Sequence, residues 1–331
     1  MKRRIGVLLL AVIMTCSAGG CYGRGPQTEP ISESRFLLDT VCTISILGTQ
    51  DRTLLSEAFN LCAEYEKMLS ITVEGSDVWR INHAGGTPVT VAPETIELLR
   101  LGIFFAELSG GIFDITVGRL STLWDYSGKS GVPSGADLTF ALGTVDFRGI
   151  LIEGNTVQLE NPETWIDLGG VAKGYIADRL SDFLRGRGVP GAVIDLGGDI
   201  SIVGKKPDGS PWRIGVRQPF GEVSDLLGAV SLGESSIVSS GIYERKFEEN
   251  GIIYHHILDT GTGMPARSDV ISATVVTEST VIGDIVSTIV IIAGSGAAAK
   301  LLDQTPGFIG ALLVLDSGEL LQYGELDFDA F

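Results

Sequence analysis

The order of strand-like and helix-like segments is the feature that most limits how this chain of 331 residues can fold. Apolar residues that recur every three to four positions predict helices, and short β-branched or apolar runs between turn residues predict strands. Helices are expected at 53–69, 94–109, 172–187, 283–293 and 296–302. Strands are expected at 40–47, 157–159, 192–196, 212–217, 235–239, 252–257, 271–276 and 311–315. The regular strand–helix alternation of a doubly wound sheet is missing, so we predict an α+β fold with one compact domain over residues 35–331.

The first 20 residues have the pattern of a signal peptide. Three basic residues at positions 2–4 precede an apolar run at 5–14 and small residues at 17–20. The apolar run is shorter than the roughly 20 residues that a membrane-spanning helix needs. We therefore expect residues 1–20 to be removed and the protein to be exported.

The residues around Cys21 resemble a bacterial lipobox, with Ala18, Gly19 and Gly20 before the cysteine. This resemblance predicts lipidation of Cys21, with the protein anchored by lipid to the bacterial cell membrane and facing away from the cytoplasm. Ordinary cleavage, which leaves Cys21 as a free thiol, is the alternative. Residues 21–34 contain little that could be buried and are predicted to form a flexible tether.

The other cysteines do not indicate a disulfide framework. Cys42 and Cys62 could pair only if the fold brings them together. Cys62 lies on the apolar stripe of the predicted helix 53–69, so we expect a buried thiol there.

The charge of the chain excludes one large class of partners. Removal of the signal peptide leaves 21 of the 24 basic residues against 41 acidic residues, a net charge of −20. Nucleic acid is therefore not an expected partner. An anionic ligand would need a locally arranged site made of backbone N–H groups, a metal ion or a few cations.

Two glycine pairs mark places where such a site could form. Gly169 and Gly170 precede a predicted helix that carries Lys173 in its first turn, and helix N-terminal N–H groups beside an ammonium favour an anion. The alternatives are a plain tight turn and a solvated lysine. The second pair, Gly197 and Gly198, follows an apolar strand and leads into Asp199; neither pair has the spacing of a dinucleotide fingerprint or a P-loop.

A group of oxygen-bearing side chains is predicted near the start of helix 283–293. Asp284 and Thr288 are four residues apart and share one helix face, with Ser287 beside them. Carboxylate and hydroxyl oxygens suit Mg²⁺, which takes few protein ligands and completes its shell with water and phosphate oxygens. The alternative is that Asp284 is only the N-cap of the helix.

Of the three histidines, His255 and His256 are adjacent in a predicted strand. Neighbouring strand residues face opposite sides, so one of the two could line a site as a general base while the other is packed or exposed. A zinc site is disfavoured because the two side chains diverge and no cysteine cluster accompanies them.

Six segments, taken in order, resemble the ApbE family of FAD:protein FMN transferases. They are residues 111–118 with 123–124, residues 167–175, residues 197–199, residues 239–245, residues 256–259 with Thr262, Gly263 and Pro265, and residues 284–288. The resemblance implies a T-fold-like α+β domain that cleaves the diphosphate of FAD, joins FMN to a threonine or serine hydroxyl of an acceptor protein, and releases AMP. The acceptor that the family suggests is a membrane electron-transport subunit.

The same resemblance assigns roles to individual residues. It implies His256, Lys173 and Asp284 as catalytic groups, with His256 as the base or phosphate-orienting group. It implies Mg²⁺ ligands at Gly170 (through its carbonyl), Asp284, Ser287 and Thr288. It implies FAD contacts at Leu38, Thr72, Ile112, Phe113, Asp114, Asp167, Lys173 and Ile257. Magnesium-dependent hydrolysis of FAD to FMN and AMP, and FAD binding by a lipoprotein without turnover, are the alternatives.

Overall fold

The computed structural model describes residues 29–126, 131–222 and 224–331. The predicted signal peptide and Cys21 lie outside these residues. The helices are α1 Thr53–Leu69, α2 Asp77–Asn82, α3 Pro93–Leu108, α4 Gly118–Leu123, α5 Gly135–Leu142, α6 Ala172–Gly186, α7 Thr280–Ala293 and α8 Ser295–Asp303. The strands are β1 Ile31–Leu37, β2 Thr40–Leu47, β3 Val89–Thr90, β4 Ile150–Glu153, β5 Thr156–Leu159, β6 Gly191–Leu196, β7 Asp199–Gly204, β8 Trp212–Arg217, β9 Leu226–Leu232, β10 Ser236–Gly241, β11 Lys246–Glu249, β12 Ile252–His255, β13 Val270–Thr277, β14 Phe308–Leu315, β15 Leu320–Gly324 and β16 Phe328–Ala330.

A central sheet of eight strands organises the molecule, in the order β1-β2-β6-β7-β10-β13-β14-β15. Each neighbouring pair in it is antiparallel. Smaller sheets have the orders β16-β9-β8, β3-β5-β4 and β11-β12. Helices and antiparallel strands in this succession confirm the predicted α+β class.

Alternate side chains of the central sheet face two different layers, as the two-residue period of a strand requires. In β6, Ile194 packs in one buried cluster with Leu180 of α6 and Phe59 of α1. The neighbouring Val193 packs in another cluster with Trp212 of β8. Helices therefore cover one face of the sheet and the β16-β9-β8 sheet covers the other, and each fully buried large aliphatic side chain contributes about 1.5–3 kcal/mol.

Three segments confirm their predicted bounds residue for residue, the strands Thr40–Leu47 and Trp212–Arg217 and the helix Thr53–Leu69. The boundary of the predicted tether is wrong, because β1 begins at Ile31 and not after residue 34. Ile31 is buried and pairs with Ile46 of β2, so the chain is already part of the central sheet there. The strand predicted at 252–257 also ends early, at His255.

Cys42 and Cys62 meet inside the fold as free, buried thiols. The neighbouring Cys62 thiol, together with burial, raises the pKa of Cys42 well above its ordinary value. The prediction of a buried thiol at Cys62 is confirmed.

None of the helices in the described part of the chain has the length and apolar character needed to cross a membrane.

Candidate functional site

Three charged side chains from distant parts of the sequence meet at the start of α6. Lys173 Nζ donates to Asp199 Oδ2 at 2.5 Å and to the two carboxylate oxygens of Asp284 at 3.2 and 3.3 Å. Lys173 is the second residue of α6, Asp199 the first of β7, and Asp284 lies in α7. The side chains of Asp199 and Asp284 are each only 4% exposed, so these ion pairs are well shielded from water. We call these three residues the Lys173 cluster.

Close packing of α6 on α7 brings Lys173 to Asp284. A Cβ added at Gly174 would lie 2.6 Å from the Thr280 carbonyl oxygen and from Val281 Cα, so only glycine fits here. The N–H of Gly174 donates to Asp284 Oδ2 at 3.1 Å, which ties the start of α6 directly to α7. The glycine that follows Lys173 is therefore part of how the site is built.

A tight turn between β6 and β7 places Asp199. Gly197 and Gly198 have φ angles of +73° and +103°, a region that favours glycine. The N–H of Gly198 donates to the buried carboxylate of Asp195 at 2.9 Å, and its carbonyl accepts from the N–H of Ser239. Asp199 then enters the central sheet opposite Val238 of β10, which holds its backbone in place.

The charges of the Lys173 cluster affect one another strongly. Burial alone would lower the pKa of Lys173, but the carboxylates of Asp199 and Asp284 outweigh it and raise the pKa above its ordinary value. Lys173 is therefore a cation at neutral pH. Burial and the neighbouring charge of Asp284 raise the pKa of Asp199 well above its ordinary value.

Asp284 is not the N-cap of α7, so that alternative is wrong. The helix begins at Thr280, and Asp178 of α6 caps it, accepting from the N–H groups of Thr280 and Val281 at 2.8 and 3.1 Å. Asp284 lies in the second turn, where its side chain is free to serve the Lys173 cluster.

Two of the other predicted metal ligands, Ser287 and Thr288, lie one turn after Asp284 in α7 and bond its backbone carbonyl. Thr288 Oγ1 and Ser287 Oγ donate to the Asp284 carbonyl oxygen at 3.2 and 3.1 Å. Ser287 Oγ also lies 2.8 Å from Ser240 Oγ of β10. Gly170 belongs to the turn before α6, against the ring of Phe113.

The donor set fits a hard cation with few protein ligands. The residues that the structure describes contain no group of three or more His, Cys, Asp or Glu side chains that could hold a metal ion. One carboxylate, two hydroxyls and a carbonyl supply oxygen atoms of the kind that Mg²⁺ accepts as ligands. Water and phosphate oxygens would complete most of the octahedral shell of the ion. The residues present are therefore compatible with Mg²⁺ and not with a softer metal.

The two neighbouring histidines have different surroundings, because His255 is the last residue of β12 and His256 follows the strand. His255 is buried, and its Nε2 lies 3.0 Å from the Ala266 carbonyl oxygen. Burial lowers the pKa of His255 to about 4. His255 is a packed residue.

His256 is half-buried, and its Nδ1 has no hydrogen-bond partner among the described residues. Its ring stands edge-on to Tyr126 with centroids 6.4 Å apart. Burial, and then the positive charges of Arg245 and Lys173, lower the pKa of His256 to about 3. The imidazole is therefore neutral at physiological pH and has a free nitrogen.

The two aspartates expected to contact FAD also form hydrogen bonds that hold the local backbone in place. Asp167 accepts from Ser121 Oγ at 2.6 Å and from the Gly169 N–H at 2.8 Å, which shapes the turn before α6. Asp114 is buried and accepts from the N–H and hydroxyl of Thr116 and from the N–H of Phe147. Burial raises the pKa of Asp114. The hydrogen bonds that Asp114 makes in the structure stabilise the backbone around it.

The remaining expected FAD contacts have varied surroundings. Leu38 occupies the β1–β2 turn with a φ of +54°, a conformation uncommon for leucine, and its N–H donates to Glu66 Oε1 at 2.8 Å. Phe113 and Ile257 are buried, Ile112 is half-buried and Thr72 is exposed. Their roles toward FAD stay predictions.

Asp199 is the site residue that sequence reasoning left without a role. In the sequence it is the residue after the second glycine pair and part of the family-like segment 197–199, but neither feature gave it a task. The available signal was an acidic residue directly after a Gly-Gly turn that follows an apolar strand. Nothing in the sequence paired it with Lys173, which lies 26 residues earlier in the chain.

The fold and the Lys173 cluster together define an α+β protein that presents an ammonium group and hard oxygen atoms at the start of a helix, an arrangement suited to phosphate groups and a divalent cation. The model of the ApbE family matches residues 38–313 of the chain. The chain belongs to the ApbE family, and the family expectation is confirmed.

Relatives with known names cover nearly the whole chain. A protein of Treponema pallidum, named FAD:protein FMN transferase, is 33% identical over 94% of this chain and 90% of its own length. A protein of Klebsiella pneumoniae with the same name is 33% identical over 85% of this chain and 90% of its own length.

Solved structures agree in fold. The crystal structure of the ApbE protein of Thermotoga maritima superposes with a TM-score of 0.80 at 33% identity, covering 89% of this chain and 97% of that one. The flavin transferase ApbE of Vibrio cholerae superposes with a TM-score of 0.79 at 27% identity, covering 90% and 97%.

Proposed function

We propose that this protein is an enzyme that transfers FMN from FAD to an acceptor protein. The observation that carries the proposal is the Lys173 cluster, which places a shielded ammonium at the start of α6 beside the oxygen atoms of α7. Relatives with 33% identity over most of the chain bear the name of this activity. Phosphoryl transfer depends mainly on positioning and on neutralising charge, and this site supplies both.

The proposed metal is Mg²⁺, held by the Asp284 carboxylate with Thr288, Ser287 and the Gly170 carbonyl. When bound, the ion supplies positive charge to the diphosphate of FAD. Lys173 adds its ammonium to the same diphosphate, and the positive end of the α6 dipole favours negative charge there.

The proposed acceptor group is a threonine or serine hydroxyl. Its oxygen forms a bond to the phosphorus of the FMN half, the bond from that phosphorus to the bridging oxygen breaks, and AMP leaves. His256 takes the proton of the hydroxyl on its unpartnered Nδ1. His256 is neutral before it takes this proton, because burial and nearby positive charges lower its pKa.

The proposed location is outside the cytoplasm, with Cys21 lipidated and the folded domain held near the membrane. A membrane electron-transport subunit is the acceptor that this location and the family resemblance favour. Mass spectrometry of the mature N-terminal peptide tests the anchor: a peptide that begins at Cys21 and carries acyl chains supports it, and an unmodified cysteine contradicts it.

Incubation with FAD, Mg²⁺ and a candidate acceptor separates the possible activities. Flavin fluorescence that stays with the acceptor on a denaturing gel supports transfer. Free FMN and AMP without labelled acceptor would instead support hydrolysis, and intact FAD at excess Mg²⁺ would support a binding protein without turnover. Omitting Mg²⁺ and adding a chelator is the matched control for the metal.

A further inference from the structure

Asp199 is the one member of the Lys173 cluster to which the proposed function gives no task. It belongs to neither the proposed metal ligands nor the groups that contact FAD, yet it makes the shortest contact of Lys173, 2.5 Å against 3.2 and 3.3 Å to Asp284. Its side chain is only 4% exposed. A buried carboxylate that serves no purpose is costly, so this residue calls for an explanation.

The carboxylate of Asp284 is crowded without a metal. It accepts from Lys173 Nζ with both oxygens and from the N–H of Gly174 with Oδ2. A carboxylate offers about four lone-pair positions, so a cation and an ammonium compete for the same oxygens. Their like charges also repel at short range. A divalent ion can use Asp284 fully only if Lys173 has another partner.

Asp199 is positioned to be that partner of Lys173. It stands at the beginning of β7 in the interior of the central sheet, with its backbone paired to β10 and the Gly197–Gly198 turn holding it from the other side. Its position therefore does not depend on Lys173. When a divalent cation is bound and both carboxylates are ionised, the Lys173 cluster and the ion together carry a formal charge of +1, which attracts a diphosphate anion.

We propose that Asp199 is a positioning residue that retains the Lys173 ammonium when a divalent cation takes Asp284. The inference rests on the proposed function, since it assumes that Asp284 binds the metal. In this arrangement Asp199 both frees the metal ligand and keeps Lys173 aimed at the site. Asp199 itself contacts neither the metal nor the substrate.

Substitution of Asp199 by asparagine tests the proposal in full-length protein, because asparagine keeps the size and one acceptor oxygen but removes the charge. The readout is the Mg²⁺ concentration that half-saturates the change in FAD fluorescence on binding, measured without acceptor. We expect this concentration to rise by about tenfold in Asp199→Asn, because Lys173 then competes with the metal for Asp284.

Asp195→Asn is the matched control. Asp195 is also a buried aspartate at the same turn, bonded to the Gly198 N–H and not to Lys173. Asparagine keeps an oxygen that can accept from the Gly198 N–H, so the turn is retained and we expect the half-saturating Mg²⁺ concentration to equal that of the wild type. If Asp199→Asn does not fold, as judged by circular dichroism, Asp199→Ser removes the same charge without added volume and gives the same comparison.

A second pair of variants separates positioning from direct metal binding. In a Lys173→Met background, the substitution Asp199→Asn should not weaken Mg²⁺ binding further, because the competitor is gone. Additional weakening there would make Asp199 a metal ligand and would overturn the proposal. If Asp199→Asn has a lowered melting temperature and an unchanged Mg²⁺ response, Asp199 has only a structural role, and the proposal is overturned as well.

The wild type distinguishes failure of this inference from failure of the proposed function. If FAD binding by the wild type does not respond to Mg²⁺, the metal assignment itself is refuted, and the inference with it. If the wild type responds and Asp199→Asn responds at the same concentration, only the role of Asp199 is refuted.

Discussion

Replacing Gly174 by alanine tests whether the close approach of α6 and α7 builds the site. The added methyl group would lie 2.6 Å from the Thr280 carbonyl oxygen and from Val281 Cα, both backbone atoms of α7. Ordinary van der Waals contact begins at 3.4 Å, so the two helices must separate locally by roughly 0.8 Å. A shift of this size lengthens the 3.1 Å bond from the Gly174 N–H to Asp284 and draws Lys173 away from the same carboxylate.

The expected magnitude follows from two opposing effects. Overpacking against backbone costs about 1–3 kcal/mol. Alanine favours the helix over glycine by up to about 1 kcal/mol, which offsets only part of that loss. The clash therefore dominates, and a net loss of about 1–2 kcal/mol lowers the melting temperature by about 2–6 °C in a domain of this size.

Calorimetry and Mg²⁺ titration of FAD binding together measure both consequences. Gly186→Ala is the matched control, because Gly186 ends the same helix and an added Cβ there has no heavy atom within 4 Å. We expect the control to melt at or slightly above the wild-type temperature and to bind Mg²⁺ normally. Wild-type melting and a wild-type Mg²⁺ response in Gly174→Ala would refute the argument that this packing positions Lys173 and Asp284.

Three further predictions concern the titratable groups. Asp284→Ala should abolish Mg²⁺-dependent transfer while circular dichroism stays close to wild type, because the residue contributes oxygen atoms and not core packing; transfer at the wild-type rate would remove the metal assignment. His256→Gln should slow transfer to the acceptor by about 10²–10⁴-fold with FAD binding retained, as fluorescence titration can show. His255 predicts a pH dependence of stability: its folded pKa of about 4 lies below the unfolded value, so its contribution is present above the unfolded pKa and is lost as pH falls toward the folded one. Lowering the pH from about 7 to about 5 should reduce the free energy of unfolding by on the order of 2 kcal/mol through this residue. Denaturant unfolding of His255→Gln should show a smaller loss over the same pH range. An equal loss in the variant contradicts the assignment.

Local patterns in the sequence predicted the helices and strands whose formation depends on the spacing of neighbouring apolar residues. The helix Thr53–Leu69 has an unbroken apolar stripe, and its bounds were predicted correctly. The first four residues of the strand Ile31–Leu37 were mistaken for tether because only alternate residues of this strand are even partly covered, as expected at the edge of the sheet. The strand Asp199–Gly204 was not predicted, and the structure shows it paired with β6 and β10 in the central sheet.

The sequence alone determined the α+β class, the oxygen-rich face of α7 and the pairing of a glycine turn with Lys173, because each depends on residues within a few positions of one another. It could not choose between a helix cap and a metal ligand at Asp284. Only the tertiary structure excluded the cap, by placing Asp178 of a different helix at the start of α7. It also brought together Lys173, Asp199 and Asp284, which are up to 111 residues apart, because the distances between such groups depend on how the sheet and helices pack and not on any local preference of the chain.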